Sequence, residues 1–233
     1  MAPSTADQDG AYSEGRLYAR PHPPTAAPSI APGLHTLVFP NGRESLFYAP
    51  PQPDPGGAPL LLLLHGAGRR DGGSEATALA HVMRRGAFLL APRAYGTSWD
   101  LLRGGFGPDL AFIDLLLSWT MQHYAIAPGA LAIGGFSDGA SYALSVGLAN
   151  GDLFDDIIAF SPGFSRPLRI MGRPHVFIAH GATDPVLPLR CGQDIARHLT
   201  ATGYTVEFQR FEGAHLVPPR IALGALARVG GGA

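Results

Sequence analysis

Six short, continuous apolar runs, five of them followed by a stretch of helical length, constrain this chain more than any other feature. The runs are Leu60–Leu64, Ala87–Ala91, Ala130–Ile133, Asp156–Phe160, Val176–Ala179 and Thr205–Phe211. A strand that reads apolar throughout, and does not alternate, is buried on both faces, which happens in a mostly parallel sheet covered by helices. The intervening segments predict helices over Ser74–Arg84, Pro108–His123, Ser137–Asn150, Leu189–Thr202 and Pro218–Arg228. Leu110, Ile113, Leu116 and Leu117 give the second of these helical spacing, and Pro108 sits where a first turn tolerates it.

Two alternating stretches, Leu34–Phe39 and Glu44–Tyr48, precede the runs and are separated by Pro40-Asn41-Gly42, a hairpin signal. Before them the chain is rich in Pro and Ala. Prolines at 21, 23, 24, 28 and 32 exclude regular helix or central strand there. The reading is α/β: an N-terminal arm over 1–31, loosely attached, with Arg16–Ala19 able to pair at a sheet edge. A single domain follows over 32–233, an antiparallel hairpin leading into a mostly parallel sheet with helices on both faces.

Seventeen basic residues against eighteen acidic leave almost no net charge, so there is no electrostatic case for nucleic acid or anionic lipid as partner. All the basic residues are arginine. Without lysine there can be no Schiff-base chemistry and no phosphate loop of the G-K-[ST] kind. The single cysteine, Cys191, excludes an intramolecular disulfide and fits a reducing compartment. No apolar run approaches membrane-spanning length and residues 1–10 show no signal-peptide pattern, so the expectation is a cytoplasmic protein with no membrane insertion. There is no H-E-x-x-H pattern and no Cys/His cluster, so neither metal nor cofactor is expected.

Gly135-Phe136-Ser137-Asp138-Gly139 lies between an apolar run and a helical stretch. In that context a G-x-S-x-G pentapeptide makes a nucleophile elbow, with the serine in a strained turn and glycines where the strand and helix would collide with a side chain. A serine hydroxyl needs a base, and the base needs a third group to fix its tautomer. In such sheets functional groups collect beyond the carboxyl ends of strands, in the chain order serine, acid, histidine. The first carboxylate after the Val176–Ala179 run is Asp184, in His180-Gly181-Ala182-Thr183-Asp184-Pro185. Asp194 falls on a helix, Glu207 in a strand, and Asp138 is too close to Ser137 to reach the far nitrogen of a histidine. Of nine histidines, His215 alone follows Asp184 on a strand-end loop. His180 precedes the acid and is read as orienting its loop.

His65-Gly66-Ala67-Gly68 closes the first central run. Its glycines let backbone N–H groups approach an oxyanion, and the assignment is the N–H of Ala67 as one donor and that of Asp138 as the other. Trp99, in Tyr95–Asp100 after the second run, is a candidate pocket wall as well as a packing residue.

With these motifs on the page, the chain resembles the α/β-hydrolase superfamily. Within it, it is most similar to the single-domain phospholipase/carboxylesterase group, which includes acyl-protein thioesterases and dienelactone-hydrolase-like proteins. The resemblance runs from about Leu60 onward. It implies an α/β-hydrolase fold, with Ser137 as nucleophile, Asp184 as acid, His215 as base, and Ala67 and Asp138 as oxyanion donors. Ser137 stands where dienelactone hydrolases carry cysteine, and Asp138 replaces the group's frequent glutamine. The connection from Ser161 to His175 is too short for a lid domain, which points to an open site for short-acyl or aryl esters. The alternatives on the same residues are an acyl thioesterase or a lysophospholipase. From another class comes a catalytically silent binding protein of this fold; such proteins usually lack a triad member, and all three are present here. Physiological ester and oligomeric state are left open.

Overall fold

A computed structural model describes residues 10–69 and 86–229. The helix expected over Ser74–Arg84 lies outside them. Eight strands form one sheet: β1 (Gly33–Val38), β2 (Glu44–Ala49), β3 (Ala58–Leu64), β4 (Phe88–Pro92), β5 (Ile126–Phe136), β6 (Asp156–Phe160), β7 (His175–Gly181) and β8 (Val206–Phe211). Their order is β1-β2-β4-β3-β5-β6-β7-β8. The β1–β2 and β2–β4 pairs are antiparallel, and every other pair is parallel. The helices of interest are α1 (Pro108–His123), α2 (Asp138–Ala149), α3 (Leu189–Ala201) and α4 (Pro219–Leu226). None of the described helices is long and apolar enough to cross a membrane.

The leucine run shows why these strands lie in the middle. Successive side chains of a strand point to opposite faces. Leu60, Leu62 and Leu64 accordingly join one buried cluster, and Leu61 and Leu63 join the other. Both faces are covered, so an uninterrupted apolar sequence is what the position demands.

The topology then chooses the place for chemistry. From β3 the chain crosses to β4 on one side, while β5 pairs with β3 on the other. In a largely parallel sheet, the carboxyl ends of such a strand pair are where functional groups collect. The His65 loop follows β3 and the Ser137 turn follows β5, so both lie at these ends.

Two expectations need correction. The third run extends to an eleven-residue strand beginning at Ile126, because β5 continues past Pro128-Gly129 to pair Ile126 with Ala58 across an irregular step. The arm is not loose over its described part. Leu17 and Ala19 are buried in the main cluster. Asp114 of α1 accepts the N–H groups of Tyr18 and Ala19 and the hydroxyl of Tyr12, each at 2.8 Å. Asn150 accepts the Leu17 N–H at 2.9 Å and donates to the Gly15 carbonyl at 2.7 Å. Arg16 donates to the Ala149 carbonyl at the end of α2 and pairs with Asp152 at 2.7 Å. The arm also has helix over residues 10–13, ahead of the prolines that begin at 21; proline spacing bears only on the later part and carries no information about such side-chain anchoring. Residues 16–19 dock on helices and do not join a sheet edge.

Candidate active site

The Ser137 turn is set by what its neighbours can tolerate. Ser137 has φ 57° and ψ −119°, a conformation that non-glycine residues rarely adopt. Its N–H is held by the Phe160 carbonyl at 2.8 Å. A Cβ at Gly135 would run into the Gly139 backbone, and one at Gly139 into the Leu64 and His65 carbonyl oxygens. The two glycines therefore let α2 start directly against the end of β3. Ser137 is 7% exposed.

Two further loops converge on it. Ala182 N–H donates to the Phe211 carbonyl at 2.8 Å, and both Thr183 N–H and its hydroxyl donate to the Gly213 carbonyl at 3.0 Å. A Cβ at Gly181 would meet the Ala214 and Gly213 carbonyl oxygens, so glycine is what allows the loops after β7 and β8 to touch. This contact places His215 beside Asp184. His215 Nδ1 lies 2.6 Å from Asp184 Oδ2, and His215 Nε2 lies 2.9 Å from Ser137 Oγ. The imidazole also packs on the Phe136 ring at a centroid distance of 4.7 Å.

Asp184 Oδ1 accepts the N–H groups of Val186 and Leu187, each at 2.9 Å. Burial alone would push the Asp184 carboxyl up. The hydrogen bond with His215, those from Leu187 and Val186, and the attraction of His215 together outweigh it, holding the group below the usual carboxylate range. His180 is fully buried, and its Nε2 donates to the Leu187 carbonyl at 2.8 Å, which closes the acid loop as its place in the sequence suggested.

On the other side of Ser137, Gly68 N–H is committed to the Thr97 carbonyl at 2.6 Å, so it is not available to a ligand. Ala67, one residue earlier, is the candidate donor consistent with this. Asp138 is the first residue of α2, where an N–H has no intrahelical acceptor. Its side chain is occupied elsewhere, accepting a hydrogen bond from the Ser98 hydroxyl at 2.7 Å.

Trp99 departs from the expectation of a pocket wall. It is 0% exposed, donates its indole N–H to the His65 carbonyl at 2.9 Å, and packs between His65 and Tyr142. No face of it is left for a substrate; it props the His65 loop from behind. His65 itself accepts the Ala94 N–H at Nε2, 3.1 Å away, which fixes the hydrogen on Nδ1, donated to the Gly66 carbonyl at 2.7 Å.

Behind Trp99 lies a polar cluster that sequence reasoning missed. Asp109 accepts Arg43 at 2.7 Å and the N–H groups of Tyr95 and Asp100. Asp100 accepts the Tyr142 hydroxyl and the N–H groups of Gly107 and Asp109. Burial pushes the Asp100 carboxyl up, against the hydrogen bonds from Tyr142 and the Asp109 backbone. The cluster fixes the loop carrying Ser98 and Trp99. Only Pro108-Asp109 at a helix start hinted at it, and nothing in a linear string says that Asp100 is buried.

A family model described as Phospholipase/Carboxylesterase matches residues 111–222, the stretch containing Ser137, Asp184 and His215. Among solved structures, the chain is similar to esterase PE8, with 20% identity, a TM-score of 0.60, and coverage of 85% of this chain and 97% of that one. A ferulic acid esterase from Anaeromyces mucronatus, solved with ferulic acid, gives 18% identity, a TM-score of 0.60, and coverage of 87% and 92%. An S-formylglutathione hydrolase from Staphylococcus aureus gives 15% identity, a TM-score of 0.63, and coverage of 84% and 95%. No curated protein sequence shows a significant match. Strand order and these likenesses define the class: the fold is that of the α/β hydrolases. Within it, the chain is similar to the phospholipase/carboxylesterase family, whose model matches residues 111–222, just under half of the chain.

Proposed function

We propose that the protein is a serine carboxylic-ester hydrolase that works through an acyl-enzyme. The observation that carries this reading is the unbroken line from Ser137 Oγ to His215 Nε2 (2.9 Å) and from His215 Nδ1 to Asp184 Oδ2 (2.6 Å). His215 takes the proton of Ser137 as Oγ attacks the ester carbonyl carbon. Asp184 stabilises the imidazolium and keeps it oriented. The carbonyl oxygen, now an oxyanion, is held by the N–H groups of Ala67 and Asp138; each such donor is worth about 3–4 kcal/mol in comparable sites. His215 then gives its proton to the departing alcohol. In the second half it takes a proton from water, which attacks the acyl carbon, and returns it to Ser137.

The substrates this arrangement suits are short-acyl or aryl esters. Residues 161–174, between β6 and β7, contain no helix that could form a lid. The rim beside the acid and base is apolar and open, with Val186 61% and Leu216 43% exposed. The test is hydrolysis of p-nitrophenyl acetate by the parent protein and by Ser137→Ala. The variant is expected to lose about six orders of magnitude in turnover, as comparable triads do. Near-parental turnover in the variant would reject the reading.

A further inference from the structure

We propose that His180 is a positioning residue of this site: a second imidazole on Asp184 Oδ2 that restrains the carboxylate and sets the lower pH limit of His215's work as a base. The inference rests on the triad reading above and adds a residue to it.

Asp184 Oδ2 faces two rings, with His215 Nδ1 at 2.6 Å and His180 Nε2 at 3.5 Å. His180 Nε2 is also 2.8 Å from the Leu187 carbonyl. A carbonyl can only accept, so Nε2 carries the hydrogen and gives it to Leu187 O, with the Asp184 carboxylate 3.5 Å from the same nitrogen. Nδ1 is buried without a partner and faces Gly192 on α3, where an added Cβ would stand 2.6 Å from it. The ring is thus fixed as an Nε2–H donor. Leu187 closes the circuit, giving its N–H to Asp184 Oδ1 and its carbonyl to His180.

The other charged group alongside His180 is Arg210, its lateral neighbour on β8, which pairs with Glu212 at the surface at 2.7 Å. On the β6 side Ser161, just past the end of the neighbouring strand, gives its N–H to the Ala179 carbonyl, and α3 presents Gly192. The immediate surroundings therefore leave His180 Nε2 and His215 Nδ1 as the two ring nitrogens beside the same carboxylate oxygen, at 3.5 and 2.6 Å. Removing the His180 N–H leaves more negative charge facing His215, which stabilises its protonated form. The acid limb of the activity profile must then move to higher pH. A residue that merely clipped the loop would lower activity without moving that limb.

The experiment compares His180→Leu with His180→Gln, which restores an N–H near the Nε2 position. For the leucine variant, kcat should fall about 2- to 10-fold, the worth of the hydrogen bond to the neutral Leu187 carbonyl that holds the acid loop. KM should change by less than about twofold, since a fully buried ring cannot touch substrate. The acid limb of kcat/KM should rise by about half a pH unit to one unit, and glutamine should recover most of both effects. A leucine variant with a parental limb, or a glutamine variant no better than leucine, overturns the proposal.

Ring NMR of the parent tests it without any variant. The two N–H hydrogens beside Oδ2 should lie on the order of 4 Å apart. A His180 Nε2 proton with a cross-peak to the His215 Nδ1 proton is expected, and its absence overturns the assignment. Labelling of parental Ser137 by a fluorophosphonate separates the two failures. An unlabelled parent removes the triad reading and this proposal with it; a labelled parent with an indifferent His180 removes only the latter.

Discussion

Asp184→Asn is the substitution whose outcome the structure determines most fully. The parent carboxylate gives Oδ1 to two backbone N–H groups at 2.9 Å and Oδ2 to His215. An asparagine amide must choose which end to turn toward those donors. Placing its NH2 against them strands two buried N–H groups at about 1–3 kcal/mol each, so that orientation is populated about 1 time in 30 or less. The oxygen therefore stays with Val186 and Leu187, and the NH2 faces His215 Nδ1. Nδ1 then has to accept, which moves the ring hydrogen to Nε2 and aims a donor at Ser137 Oγ. That tautomer cannot take the serine proton, and kcat should fall about 10⁴-fold. Because the Asp184 carboxyl lies below the usual range, the parent is charged there throughout about pH 5–9, and the deficit should persist across that window. Asp184 is 8% exposed and makes no contact with bulk solvent to speak of, so KM should stay within about twofold of parent. The assay is p-nitrophenyl acetate hydrolysis, with a thermal melt to confirm folding. A folded variant within tenfold of the parent would refute the tautomer argument.

Gly139→Ala drives a Cβ into the Leu64 and His65 carbonyl oxygens, and should cost about 1–3 kcal/mol in urea unfolding along with a large fall in kcat; a neutral substitution would mean that the elbow does not pack as described. Asp152 is drawn down to about 2, first by its hydrogen bond with Arg16, against burial and with help from the charges of Arg20 and Arg16. Its folded value lies below the unfolded one, so this ion pair stabilises fully above about pH 4 and fades as pH falls toward 2. Asp152→Asn should therefore cost about 1 kcal/mol at pH 7, the pair being partly exposed, and almost nothing at pH 2; an equal cost at both would contradict the assignment. Across p-nitrophenyl esters of rising chain length, kcat/KM should be highest for the short acyl groups, and a marked preference for emulsified long chains would contradict the open-site reading. Matched oxyester and thioester substrates, compared in the same assay, should favour the oxyester.

The strands were legible because burial on both faces leaves a local trace: Leu60–Leu64 reads apolar wherever it is examined. The order in which Ser137, Asp184 and His215 follow their strands was legible for a similar reason, since strand-end loops of a parallel sheet must open on one side. What sequence could not supply was contact between segments far apart. Sequence left Trp99 as either pocket wall or packing residue; the cluster of Arg43, Asp100, Asp109 and Tyr142, which fixes its loop, decides for packing. The arm looked detached because proline forbids regular structure, whereas its anchoring comes from Asp114, Asn150 and Asp152, each an ordinary polar residue in isolation. The 3.5 Å approach of His180 to Asp184 is likewise a matter of loop shape and not of spacing.

The central claim is that Ser137 is an activated nucleophile. Incubation with a fluorophosphonate probe at neutral pH, followed by proteolysis and mass spectrometry, addresses it directly. The account predicts one phosphonylated peptide, modified at Ser137, and its disappearance in His215→Ala. A folded parent that remains unmodified, or an adduct on a different serine, would contradict it.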